Sequence, residues 1–166
     1  MPTSEALIPI DVPLSSAGAP LPHVFADEGR LLIAYIVDSP DPSFDGTNPR
    51  SFSSVADDQS IAILTADPYL AFQFGPPNDE VISGHRLYGL GLRPYSAFEV
   101  LNSSWIASFE KANRVHPSHR PELFSGYRHM ILTFHDSTLE FIAEGFSVSL
   151  HQGAVLATLL EAVGRR

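Results

Sequence analysis

The chain contains no cysteine. Disulfides, thiol nucleophiles and zinc–thiolate sites are excluded at once, and the absence fits a reducing compartment. Lys111 is the only lysine among the 10 basic residues, so lysine chemistry has that single position open to it. Runs of basic residues are also missing; the nearest is Arg165-Arg166 at the end of the chain. The net charge is −9, from 19 acidic and 10 basic residues. Nucleic acid requires a cationic face, which this chain does not offer. A basic protein partner or a cationic ligand suits the charge better, with plain solubility as the simpler reading. Long apolar runs are scarce: the longest aliphatic stretch covers residues 31–37, far short of a membrane span. The first basic residue is Arg30, so no basic leader precedes an apolar segment. The expectation is a soluble, cytoplasmic protein without membrane or nucleic-acid contacts.

What is present is an ordinary globular composition. The 166 residues, 44% of them hydrophobic, suffice for one domain with a real core. Residues 1–22 are rich in Pro, Ser and Ala and read as an extended or flexible arm. Within it LIPIDVPL alternates, but Pro9 and Pro13 restrict it to an edge strand or an extended segment. Residues 23–166 form the globular domain. LLIAYIV at 31–37 predicts a strand covered on both faces. Residues 38–58, rich in Pro, Ser and Asp, have no period and predict a long loop, either a binding loop or a passive insertion. SIAILT, YLAFQF and SAFEVL read as further strands. Ser103 or Asn102 caps a short helix whose apolar stripe is Trp105, Ile106, Phe109 and Ala112. Ser149 and Gln152 have the spacing of a capping box for a last helix, with Val155, Leu156, Leu159, Leu160 and Val163 on its apolar face. The sum is an α+β domain: about six mostly antiparallel strands, sandwich- or half-barrel-like, with two short helices packed on them.

The segment RHMILTFHDSTLEFIAEGF, at 128–146, carries the clearest chemical signal. It reads as a β-hairpin. Met130, Leu132 and Phe134 alternate with His129, Ile131, Thr133 and His135; Leu139, Phe141 and Ala143 alternate with Thr138, Glu140, Ile142 and Glu144. A two-residue turn at Asp136-Ser137 would pair Phe134 with Leu139 and Met130 with Ala143, keeping the apolar sets on one face. That register sets His129 opposite Glu144 and makes Glu140 the diagonal neighbour of His135. It separates the two histidines by roughly 20 Å, too far to share a metal. His135 is the acid/base candidate and Glu140 its partner. The plain alternative is a set of charge pairs on a solvated face. No metal is expected, since neither H-x-H nor H-E-x-x-H spacing occurs and a third ligand such as His85 or His116 would be needed. No cofactor is expected either.

GPPNDEVISGH, at 75–85, is the second candidate. Pro76-Pro77 stiffens the backbone while Asn78, Asp79 and Glu80 offer oxygens beside His85. A plain turn is the alternative. Gly89 and Gly91 lack the third glycine of a dinucleotide loop, and no P-loop or Gly-x-Ser-x-Gly elbow occurs.

FGPPNDE at 74–80, Gly84-His85, Tyr95, Glu99, SSWI at 103–106, Asn113, His116-Pro117 and the RH…FHDSTLE hairpin together resemble an uncharacterised bacterial family. The resemblance spans roughly the C-terminal two thirds and brings no activity or cofactor with it. It implies that the two loops and the hairpin belong to one constellation. The leading expectation is therefore a small-molecule-binding protein, with acid/base chemistry at His135 and Glu140 and ligand contacts from Asp79, His85 and Arg128. The alternative is an acidic interaction module, an immunity or regulatory protein for a basic partner. A homodimer built through the N-terminal arm is compatible with both.

Overall fold

A computed structural model describes residues 4–40 and 53–165. The centre of the 38–58 loop, residues 41–52, lies outside the described residues, and so does the expectation attached to it. The strands are β1 (Ala6–Pro9), β2 (His23–Ala26), β3 (Leu31–Ile36), β4 (Gln59–Ala66), β5 (Tyr69–Gly75), β6 (Ala97–Leu101), β7 (Arg128–Thr133), β8 (Thr138–Ala143) and β9 (Ser147–Gly153). The helices are α1 (Ser104–Asn113) and α2 (Val155–Gly164). Two antiparallel sheets result, in the orders β1-β6-β7-β8-β5 and β2-β3-β4-β9. The class is α+β, with nine strands among the described residues where the sequence suggests about six. None of the described helices is long and apolar enough to cross a membrane.

The two sheets pack face to face. Leu31, Ile33, Tyr35 and Leu64 of the smaller sheet meet Met130, Leu132, Leu139 and Phe141 of the larger. β3 is an inner strand, and its other face, with Leu32, Ala34 and Ile36, packs against Val155 and Leu159 of α2. Two covered faces explain why LLIAYI is apolar throughout rather than alternating. The five-stranded sheet is also covered on its outer side. Ile82, Leu87 and Leu92 from the segment after β5 lie on Val100 and Ile131. Each such side chain contributes about 1.5–3 kcal/mol of burial. That is what holds down a segment whose regular structure is only two short 3-10 helices, Asp79–Gly84 and Tyr88–Leu90.

Two sequence expectations need correction. Ser149 and Gln152 do not form a capping box. SVSLHQG alternates, and its ladder with β4 runs from Thr65↔Ser147 to Gln59↔Gly153. The ladder satisfies more backbone than one cap does, and α2 has Ala154 at its N-cap, which offers no side-chain hydrogen bond. The hairpin turn also sits one residue earlier than expected, at His135-Asp136 instead of Asp136-Ser137. β7 and β8 pair Met130 with Phe141, Leu132 with Leu139 and Thr133 with Thr138, and Phe134 N–H closes the turn on Ser137 O at 2.8 Å. The shift is by two positions. It keeps every apolar side chain on its face but changes every polar neighbour.

Residues 6–15 lie along the fold. β1 pairs with β6, Ser15 bridges to Val37, and Tyr35 O–H donates to Pro13 O at 2.8 Å.

Candidate functional site

The site is built on the outer face of the five-stranded sheet. Gln73 lies opposite Glu140 across β5 and β8, and Glu140 lies opposite Ile131 of β7. His129 pairs with Ile142, which makes it the diagonal neighbour of Glu140. The hairpin's polar face is not solvated: His129 is 0% and Glu140 1% exposed. The covering segment is stitched to the hairpin by Thr138 O–H to Pro77 O at 3.0 Å and by Asp79 N–H to His135 O at 2.9 Å. This cover delivers His85 and Arg86 to the sheet.

Glu140 is the hub. Its Oε1 accepts from Gln73 Nε2 at 2.6 Å and from His85 Nε2 at 3.3 Å. Its Oε2 accepts from His129 Nε2 at 2.8 Å and from Arg86 Nη2 at 3.0 Å. These contacts use the roughly four acceptor sites of a carboxylate. Burial pushes the carboxyl up, but the hydrogen bond and charge of His129, the charge of Arg86 and the amide of Gln73 outweigh it and bring its pKa to about 2. Glu140 is therefore an ionised anchor for the groups around it, and it holds no proton to donate at neutral pH.

The anchor sets the tautomers around it. Ionised Glu140 only accepts, so His85 and His129 both present Nε2–H to it. His85 Nδ1 then accepts from Leu87 N–H at 3.2 Å, which occupies the second nitrogen and suits a neutral ring. Ser103 Oγ lies 2.8 Å from the other ring nitrogen of His129, Nδ1. Arg86 also reaches Glu5 at 2.7 Å, and Glu5 in turn accepts from Ser104 N–H and O–H at the start of α1, each at 2.8 Å.

The expected pairing of His135 with Glu140 is replaced. Thr133 now faces Thr138, and Glu140 is beside His129. His135 Nδ1 instead donates to Asp79 Oδ2 at 2.9 Å, with Tyr95 Oη 2.8 Å away. Tyr95 O–H also donates to Asp79 Oδ2, at 2.5 Å, and its ring stacks on the imidazole. The bond from Tyr95 holds the Asp79 carboxyl below its usual range, and Asp79 in turn raises the His135 pKa. Burial, reinforced by Asp79, pushes the Tyr95 phenol to about 12. The His135 side chain is 43% exposed, so this carboxylate–imidazole pair can exchange protons with solvent. The expected pairing of His129 with Glu144 is likewise absent; Glu144 is exposed, beyond the end of the ladder with β7.

A cleft of about 670 Å³ opens over the hub, lined by Gln73, Phe74, Pro77, Val81, His85, Arg86 and Glu140 among others. Of the sequence candidates, His85 and Glu140 meet here. Asp79 and His135 form their own pair nearby in the fold and do not line this cleft. Arg128 is placed elsewhere: it binds Glu99 at 2.5 Å and lines a different cleft beside α1. Gln73, Arg86, Tyr95 and Ser103 are the site groups that sequence reasoning passed over. Arg86 directly follows a flagged histidine, and Gln73 is the one polar residue in YLAFQF, so both carried a weak signal. Among the described residues no group of three or more His, Asp or Glu side chains is arranged to hold a metal ion.

No protein-family model, no curated protein and no solved structure matches the chain.

Proposed function

We propose that the protein binds a small, uncharged, amphipathic molecule in the cleft between the segment after β5 and the β7–β8 hairpin. The observation that carries this reading is the Glu140 hub. Two side chains of the cleft wall, His85 and Arg86, and a third, Gln73, are each fixed by a hydrogen bond to one buried carboxylate. Fixing polar groups before a ligand arrives lowers the ordering cost of binding. Few convergent polar groups beside an apolar wall is the usual make-up of a small-molecule site.

The ligand class follows from charge and shape. Glu140 and Arg86 are the charged side chains of the wall, and they cancel. A charged ligand therefore finds no unmatched partner there. Phe74 and Val81, 44% and 58% exposed, offer apolar surface on the rim. The N–H groups of Arg86 and the amide of Gln73 offer polar contacts beside it. Glu140, with its acceptor sites filled, positions these groups and does not itself abstract a proton.

Ligand-observed NMR against a panel of uncharged amphipathic metabolites tests the proposal. Val81→Glu puts a charge on the exposed rim, and Gly84→Leu adds a side chain where an added Cβ meets no atom within 4 Å. A ligand of this class should bind the native protein and lose at least about tenfold in affinity in both variants, a change of about 1.4 kcal/mol. A panel with no binder, or a binder indifferent to both substitutions, removes the proposal.

A further inference from the structure

On the opposite side of the hub from the first cleft, the buried chain continues from Glu140 through His129 to Ser103. His129 Nε2–H donates to Glu140 Oε2 at 2.8 Å, and Ser103 Oγ lies 2.8 Å from His129 Nδ1. Serine, histidine and an acid joined in this order form a nucleophile, its base and the group that orients the base. The assignment rests on roles and distances, since the acid here holds Nε2 and the serine faces Nδ1.

Three further observations fit. Ser103 stands where strand β6 turns directly into helix α1, and the residue before it, Asn102, has φ of +53°. Asn is among the few non-glycine residues that adopt this conformation readily, and the tight turn it makes sets the direction in which Ser103 leaves the strand. Trp105 packs edge-on against the His129 ring at 5.1 Å, which limits the ring's rotation. Ser103, 7% exposed, lines a second cleft of about 690 Å³ between β6, α1 and the Pro121–Phe124 3-10 helix. Charged side chains in that cleft are matched, Glu99 with Arg128 and Glu110 with Arg114.

We propose that Ser103 is a nucleophile, activated by His129 and positioned through Glu140, and that the cleft beside α1 takes an uncharged ester. Ser103 Oγ attacks the ester carbonyl carbon as its proton passes to His129 Nδ1. The carbonyl–alkoxy bond then breaks, and the departing alkoxide takes that proton from Nδ1. Water, deprotonated by the same nitrogen, cleaves the acyl–Ser103 bond and returns the proton to Oγ. The net reaction is ester plus water to acid plus alcohol.

Ser103 Oγ also accepts from Ile106 N–H at 3.2 Å, so it is the helix cap as well. The test must separate the two roles. The full chain is treated with a fluorophosphonate probe, the modified residue is located by mass spectrometry, and hydrolysis of p-nitrophenyl acetate is followed in parallel. The expected result is one adduct, on Ser103, with both reactions slowed about 100-fold or more in His129→Gln. Ser103→Asn keeps a strong cap acceptor and should melt close to the native protein while losing both reactions. No adduct on the folded native protein, an adduct on a different serine, or a Ser103 adduct formed equally fast in His129→Gln would each overturn the proposal. Labelling of the native protein decides the matter even where a variant fails to fold.

Discussion

At the scale of single residues, the two histidines of the hairpin that looked alike have opposite surroundings. His129 is sealed between Glu140, Ser103 and the Trp105 ring, whereas His135 reaches solvent with one nitrogen held by Asp79. The consequence for His135 can be measured. The hydrogen bond from its ring to Asp79 favours the protonated form, so its folded pKa lies above its ordinary 6.5. A raised pKa stabilises the fold fully below 6.5, and the contribution fades as pH rises through the folded value. An NMR titration of the imidazole protons should give a midpoint above 6.5 for His135, moving down toward 6.5 in Asp79→Asn. A midpoint that ignores the substitution would show that Asp79 does not hold the proton.

At the scale of elements, the short strand β1 does more than close a sheet edge. It covers β6 from Ala6↔Leu101 to Pro9↔Phe98, and Glu5 just before it ties Arg86 to the first turn of α1. Removing residues 1–10 therefore has two effects. It bares the edge of β6, which invites pairing between molecules, and it frees Arg86 and the start of α1 together. We expect the melting temperature to drop by on the order of 5 °C and the truncated protein to show concentration-dependent association in sizing chromatography. An unchanged melt with an unchanged elution volume would mean that β1 contributes nothing to either. Helix α1 also differs from a simple amphipathic reading. Its stripe of Trp105, Ile106 and Phe109 is only half-buried and Ala112 is exposed. The helix rests on the sheet by one end, next to His129, and leaves the second cleft open along its side.

At the scale of the whole molecule, one polar chain with a buried centre runs across the outer face of the larger sheet and joins the two clefts: His85 and the exposed Arg86 and Gln73 on one side, buried Glu140 and His129 in the middle, Ser103 on the other. A network of this kind makes stability depend on acid. Glu140, Asp79, Asp27 and Glu110 all have carboxyl pKa values below their ordinary ones in the folded state. Depressed carboxyls stabilise the fold above their ordinary values and lose that contribution as pH falls through the folded ones. Urea titrations should therefore give a stability that falls between about pH 5 and pH 2. Glu140→Gln should be about 2–3 kcal/mol less stable near neutral pH, because it leaves buried donors without their charged acceptor. Its acid limb should also be shallower than the native one. Parallel curves for the two proteins would mean that Glu140 does not enter the fold as an ion.

The α+β class, the helix cap at Ser103 and the doubly covered strand at 31–36 were legible in the residues, because periodicity and capping act within a few positions of the chain. β9 was hidden by a chance capping-box spacing, and Ser149 and Gln152 went to a ladder whose partner, β4, lies some ninety residues away. The hairpin shows the limit most clearly. Alternation assigned every side chain of 128–143 to its face, but faces repeat every two residues, so a shift of two leaves the pattern untouched. Only the position of the turn, at His135-Asp136 between the paired Phe134 and Ser137, selects the register. With it, Glu140 passes from His135 to His129, and the covering segment and α1 bring Arg86 and Ser103 from distant parts of the chain to complete the network. Local chemistry names the faces; which groups meet on them depends on contacts between segments that no local pattern encodes.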